Sequence, residues 1–214
     1  MSDVKPKRAY RSGQRQKQAE ATREAVLDAA ESLFRKNGWG ATTIAAIARE
    51  ADVSPETIYA RFRNKRTIVH ELVIRAMRGG QQQTPFMQQE QRARVLTATS
   101  GPAIIDAFAS DIAELLSRAA PILAVVRSAA ETDPEMAELY SELHQARRRN
   151  LGRLITTLEE AGALRPDLTV EAAGDILWSV VSPELWSLRV EQLGATPETN
   201  RDWFRTVLHR LLLA

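Results

Sequence analysis

Along most of the chain apolar residues return every three or four positions, the period of a helix that buries one face, and no stretch alternates with period two for long enough to predict a strand. Val26, Ala30, Leu33 and Phe34 share one face of a first helix predicted from about residue 18 to 37, with Gly38 as its stop. Ile44, Ile47 and Ala48 carry the period through a short second helix and Ile58 and Phe62 through a third. Ile68, Leu72 and Val73 mark a fourth, which Asn64 caps. From residue 100 onward, helices are predicted at about 102–118, 121–131, 134–161, 169–193 and 197–213, about nine in all. The fold class is therefore all-α.

The helix starts share a local grammar. Ser54-Pro55-Glu56, Asp133-Pro134-Glu135 and Thr196-Pro197-Glu198 each supply a capping oxygen, a proline where its missing N–H costs nothing, and an acid against the positive helix end. A further copy, Ser182-Pro183-Glu184, falls inside an apolar helical pattern and is predicted to kink or divide that helix. Gly162 and Gly194 supply stops. Between Gly79 and Ser100 the pattern weakens into glycines and glutamines, which suggests a break between domains or a polar helix beginning after Pro85.

The segment from Thr42 to Lys65 reads as two short helices around a tight turn. Thr43 can cap the first of them, Asp52 stands where the chain must turn and tolerates a left-handed backbone, Val53 plugs the corner, and Ser54-Pro55 restarts the helix. Such an element is a helix-turn-helix, whose second helix lies in the major groove of DNA. Because Val53, Ile58 and Phe62 are needed inside, the outer face is left with Pro55, Glu56, Thr57, Tyr59, Ala60 and Arg61. Arg61 suits guanine readout through two donors, or a phosphate contact, or an ion pair with Glu56; Glu56 itself suits capping of its own helix.

Residues around this motif resemble the DNA-binding region of the TetR family of bacterial transcriptional regulators. The resemblance runs from about Thr22 to Val73. It rests on AAESLFRKNGWGATT over residues 29–43, Ile47-Ala48, Val53-Ser54, Thr57-Ile58-Tyr59, Phe62 and Asn64-Lys65. It departs from the family at Asp52, where Gly is commoner, and at Ala60 and Arg61, which replace larger aromatic and imidazole side chains, so the base preference is its own. The resemblance implies a three-helix head on a larger helical bundle, with Thr43, Thr57, Tyr59 and Lys65 at positions that grip phosphate, and with Ser54 at the start of the recognition helix. It also implies a small-molecule pocket within the bundle and a homodimer formed by the last two helices.

Candidates for those roles come from the second half. Phe108, Ile112 and Leu123 read first as core and then as cavity lining. Tyr140 and His144, four apart, would give a pocket polar handles or else occupy an exposed face. Trp178 and Trp186 share a helical face and suit pocket wall, dimer anchor or plain core. In the last helix Trp203, Val207 and Leu211, with Phe204, Leu208 and Leu212 one step round, form a broad apolar surface that calls for a partner. Arg147-Arg148-Arg149 reads as a solvated stripe rather than an anion site, since three consecutive residues cannot share one face.

Charge sharpens the division. Residues 1–80 hold 16 Lys and Arg against 9 Asp and Glu, net +7, whereas residues 81–214 hold 13 against 18, net −5. A DNA-facing first part and a partner-facing second part account for this asymmetry. The expected organisation is a flexible basic arm over 1–17, which acts as a solvated tail or touches phosphate and minor groove, a DNA-binding domain over 18–78, and a ligand-binding and dimerisation domain over 79–214. There is no cysteine, no secretory signal, and no apolar run near the roughly 18 residues of a membrane span, which predicts a soluble, cytoplasmic protein without membrane contact. The three histidines lack the glutamate spacing of helical metal sites, and no phosphate-binding glycine loop, H-E-x-x-H or G-x-S-x-G is present, so neither an enzyme nor a cofactor is expected. The expected function is a homodimeric repressor that binds double-stranded operator DNA and is released by a small hydrophobic ligand. The alternative is an effector-free DNA-binding regulator controlled by abundance or by a protein partner.

Overall fold

The computed structural model describes residues 7–79, 95 and 97–214. Within them the helices are α1 (Lys7–Ala41), α2 (Ile44–Glu50), α3 (Pro55–Phe62), α4 (Lys65–Arg78), α5 (Gly101–Ala130), α6 (Pro134–Glu160), α7 (Val170–Val180), α8 (Pro183–Leu193) and α9 (Pro197–Leu212). No strand forms among the described residues, where the only β-type pairing is an isolated bridge between Leu164 and Leu213. The chain divides into two compact units, Met1–Leu72 and Val73–Ala214, the boundary falling inside α4.

In the first unit, Val26, Leu27, Ala30 and Phe34 of α1, Ile47 of α2, Ile58 and Phe62 of α3, and Ile68, Val69 and Leu72 of α4 are buried. Each of these but Ala30 contributes about 1.5–3 kcal/mol on leaving water. Gly38 breaks α1 where the sequence predicts, with φ 74° and ψ 179°, a conformation only glycine adopts readily. Thr42, fully buried, then closes that end by donating its hydroxyl to the carbonyls of Gly38 (2.8 Å) and Leu33 (3.2 Å). Arg23 on α1 pairs with Glu71 on α4 at 2.7 Å as well as with its neighbours Glu20 and Glu24.

The start of α1 differs from expectation. The helix begins at Lys7 rather than near residue 18, so residues 7–17 of the expected arm are helical. That stretch holds no proline and is rich in Arg, Lys and Gln, which favour helix; charge alone led to the reading as an arm. Residues 1–6 and the glutamine-rich run that follows Gly79, on which the expected break falls, lie outside the described residues.

In the second unit α5 and α6 pack with α7, α8 and α9 around a core that includes Ile105, Phe108, Leu116, Ile155, Leu158, Leu177, Trp186, Phe204, Leu208 and Leu212. α5 runs unbroken through Pro121, where two helices were expected. Ala119, Ala120, Ile122 and Val126 are buried on either side, and their packing outweighs the one backbone bond that proline removes. The expected division at Ser182-Pro183 is present: Ser182 caps α8 by accepting the Leu185 N–H at 3.0 Å. The end of α9 is strapped to the turn after α6, where the Arg165 N–H donates to the Leu212 carbonyl (2.9 Å) and the Ala214 N–H to that of Ala163 (3.3 Å). Gly101 is required beneath this strap, since a Cβ there would stand 2.5 Å from that of Ala163.

Candidate functional site

The turn between α2 and α3 is built as its residues dictate. Thr43 accepts the Ala46 N–H at 3.1 Å to cap α2, and Asp52 takes the left-handed conformation at φ 52°. Ser54 accepts the Thr57 N–H at 3.3 Å while their hydroxyls lie 3.1 Å apart, and Pro55 opens α3. With Ile58 and Phe62 turned into the core, Glu56, Thr57, Tyr59, Ala60 and Arg61 are exposed and Pro55 half-exposed, so the expected outer face is presented together. Tyr59 is 54% exposed, far more than an aromatic ring placed for packing alone. The backbone N–H at the start of α3, followed by the Ser54 hydroxyl, holds the Glu56 carboxyl below the usual range, as expected for an acid capping its own helix. Arg61 makes no ion pair with Glu56, leaving its guanidinium available to a partner.

Lys65 is placed differently from a side chain that only meets phosphate. Its Nζ donates to the carbonyls of Trp39 (2.7 Å) and Thr42 (2.9 Å) and lies 3.9 Å from the centre of the Trp39 ring, which itself stacks on Phe34. It closes the C-terminal end of α1. The sequence offered Trp39 as the signal, but the pairing spans 26 residues and no local pattern reveals it.

The second unit holds a half-open cavity of about 270 Å³, lined by Val73 and Met77 of α4, Phe108, Ile112, Leu115 and Leu123 of α5, Tyr140, Leu143, His144, Arg147, Leu151 and Leu154 of α6, and Glu184 of α8, with the polar Asp111, Asn150, Arg153 and Thr157 also at its wall. Its walls are chiefly aliphatic. Phe108, Ile112, Leu123, Tyr140 and His144 all line it. Trp178 does not: it stands behind the wall, with its ring 5.7 Å from His144 and under the Arg147 guanidinium at 4.9 Å. The polar corner is a small network in which the Tyr140 hydroxyl donates to Glu184 Oε1 at 3.2 Å and the His144 ring packs edge-on against Tyr140 at 4.2 Å. Burial, then the charge of Glu184, raises Tyr140 above the ordinary phenol range; burial pushes His144 down, with Glu184 opposing.

Arg147 corrects the reading of three adjacent arginines as a solvated stripe. Arg148 is exposed and pairs with Asp175 at 2.7 Å, but Arg147 is half-buried, donates to the Trp178 carbonyl, and has its pKa lowered by burial to about 10. Its position was legible after all, since Tyr140, His144 and Arg147 follow a helical period that puts them on one face.

The expected dimer residues divide in two. Trp186, Phe204 and Leu208 belong to the core of the chain itself and cannot meet a partner, because α9 packs its inner face against α5 and α7. Trp203, Val207 and Leu211 are half-buried, and one face of Trp203 is covered by Arg189 at 4.1 Å. Among the described residues of the second unit the exposed large apolar ones are Val170 at 39%, at the start of α7, and three on α8: Leu188 at 54%, Val190 at 39% and Leu193 at 70%.

A helix-turn-helix with an open outer face, in an all-α chain, defines a DNA-binding protein of the helix-turn-helix class. Residues 26–72 match the family described as "Bacterial regulatory proteins, tetR family". The HTH-type transcriptional repressor BepR of Brucella suis is 30% identical over 177 residues, covering 77% of this chain and 78% of the relative. The HTH-type transcriptional regulator UidR of Escherichia coli is 20% identical, covering 83% and 87%. Among solved structures, NalD of Pseudomonas aeruginosa, described as the secondary repressor of the MexAB-OprM multidrug efflux pump, superposes with a TM-score of 0.68 at 21% identity over 92% of this chain and 98% of that one. FadR of Bacillus subtilis in complex with stearoyl-CoA does so at 0.68 and 18% over 86% and 96%.

The chain belongs to the TetR family and is a DNA-binding transcriptional regulator, not an enzyme. No helix among the described residues is long and apolar enough to cross a membrane.

Proposed function

We propose that the protein is a homodimeric repressor that leaves its operator when a small, largely apolar molecule fills the cavity of the second unit. The observation that carries this reading is the cavity itself: chiefly apolar walls with a few polar groups are the usual make-up of a small-molecule site, whereas a bundle regulated by abundance alone would gain by packing solid. Val73 and Met77 in its wall belong to α4, whose first residue, Lys65, is bound to the end of α1. A ligand that displaces α4 at one end therefore acts on the DNA-reading helices at the other. Thr43, Thr57, Tyr59 and Lys65 contact phosphate in this reading, Ser54 and Pro55 set the N-terminus of the recognition helix, Ala60 allows its close approach to base edges, and Arg61 reads a base. BepR and NalD, both described as repressors, support the sign of regulation; FadR with stearoyl-CoA supports a lipophilic occupant.

Selection of fragments from random DNA by the purified protein tests the proposal, followed by the same selection in the presence of candidate ligands. The expected product is a pseudo-palindrome whose half-sites lie about one helical turn, or a multiple of it, apart. Retention should fall when the cavity is filled. An asymmetric minimal site protected by a single chain, or ligand binding that leaves operator affinity unchanged, would overturn it.

A further inference from the structure

We infer that the cavity selects amphipathic molecules with an acidic head group, and that Arg147 is the residue that selects them. This rests on the reading of the cavity as an effector site. Arg147 lines it, remains a cation at neutral pH, and makes no ion pair with any described carboxylate. Its Nη2 is satisfied by the Trp178 carbonyl and its plane by the Trp178 ring, but Nη1 is buried without a hydrogen-bond partner. A guanidinium desolvated in this way is costly unless something pairs with it, and two of its faces are already held in place, so the group is oriented before a ligand arrives.

The other charges facing the cavity do not compete for that role. Glu184 accepts the Tyr140 hydroxyl and has His144 Nε2 3.9 Å away, while Asp111 and Arg153 are engaged by other groups. A cationic ligand could meet Glu184 only by approaching the like charge of Arg147 in the same wall. A neutral ligand could accept a hydrogen bond from the guanidinium but would leave its charge uncompensated. A carboxylate supplies both an acceptor and the opposite charge once a small turn of the guanidinium brings Nη1, closed to solvent as it stands, to the cavity surface, and its tail lies along Phe108, Ile112 and Leu123.

Calorimetric titration of the full-length protein with octanoate, octanol and octyltrimethylammonium separates the head group from a common tail. Octanoate should bind about tenfold or more tightly than octanol. Arg147→Met, which keeps the stem, should abolish that preference while octanol binding survives. The comparison on the unsubstituted protein stands even if the variant fails to fold. Equal binding of octanoate and octanol, tighter binding of the ammonium compound, or an Arg147→Met protein that still prefers octanoate would overturn the inference and leave the effector cavity intact. Binding of none of the three would overturn both.

Discussion

Lys65 is bound to Trp39 twice over, through the backbone carbonyl at 2.7 Å and through the face of the indole at 3.9 Å. One ammonium thus fixes where α1 ends and where α4 begins. With a phosphate contact from the same side chain, the residue is expected to serve stability and DNA binding together.

Lys65→Ala should lower the unfolding free energy by about 1.5–3 kcal/mol, the range for hydrogen bonds made by a charged group. Its operator affinity should fall with a salt slope smaller by about one unit. Chemical denaturation and binding across a salt series check the two effects separately; an unchanged slope would leave Lys65 as a clasp only.

Arg61→Ala should relax preference at one base pair of each half-site and cost about 1–3 kcal/mol of discrimination there. Tyr59→Phe, which removes one hydroxyl from an exposed ring, should instead weaken all sequences about equally. Sequencing of selected DNA distinguishes the two patterns, and uniform weakening by Arg61→Ala would assign Arg61 to phosphate.

In a homodimer that buries the exposed leucines of α8, Leu193→Glu or Leu188→Glu should shift dimer to monomer in light scattering, because the apolar contact would have to take in a charge. Thermal stability of the isolated chain should change little, since both side chains are more than half exposed. A dimer that persists in both variants would move the interface off α8.

His144 should make the second unit less stable in mild acid. Burial depresses its pKa, so the folded state holds the ring neutral; its contribution is full above the unfolded value of about 6.5 and is lost as pH falls from there through the folded value. Denaturation at pH 7.5 and 5.5 should show a larger loss for the unsubstituted protein than for His144→Gln. Equal losses would mean that the protonated ring is accommodated.

The turn between α2 and α3 was legible nearly to the residue because its signals are local. A capping threonine, an aspartate at a left-handed turn, a Ser-Pro start and a glycine stop each act within four residues of where they stand, and Asp52, Ser54 and Gly38 adopt the predicted roles. The early start of α1 was a local preference hidden by the charge of residues 7–17, and the other misses lay in tertiary contacts. Whether Pro121 ends a helix depends on what its neighbours bury. Phe204 and Trp203 are adjacent in an amphipathic pattern, yet one is in the core and the other under Arg189, because apolar periodicity identifies a buried face without saying which chain covers it. Arg147 and Arg148 differ only by the hundred degrees of one helical step, and that step separates a cavity wall from water.

The strap at the end of α9 has a consequence for the way this protein is made. Phe204, Leu208 and Leu212 complete the core of the second unit, so α5 and α6 must wait on the ribosome with an unfinished interior until those residues emerge. The buried residues of the first unit have all been made by Leu72, long before Phe204, so the head is expected to begin folding first. During synthesis a nascent chain therefore passes through a stage in which the DNA-reading head is formed and the cavity that would control it does not yet exist.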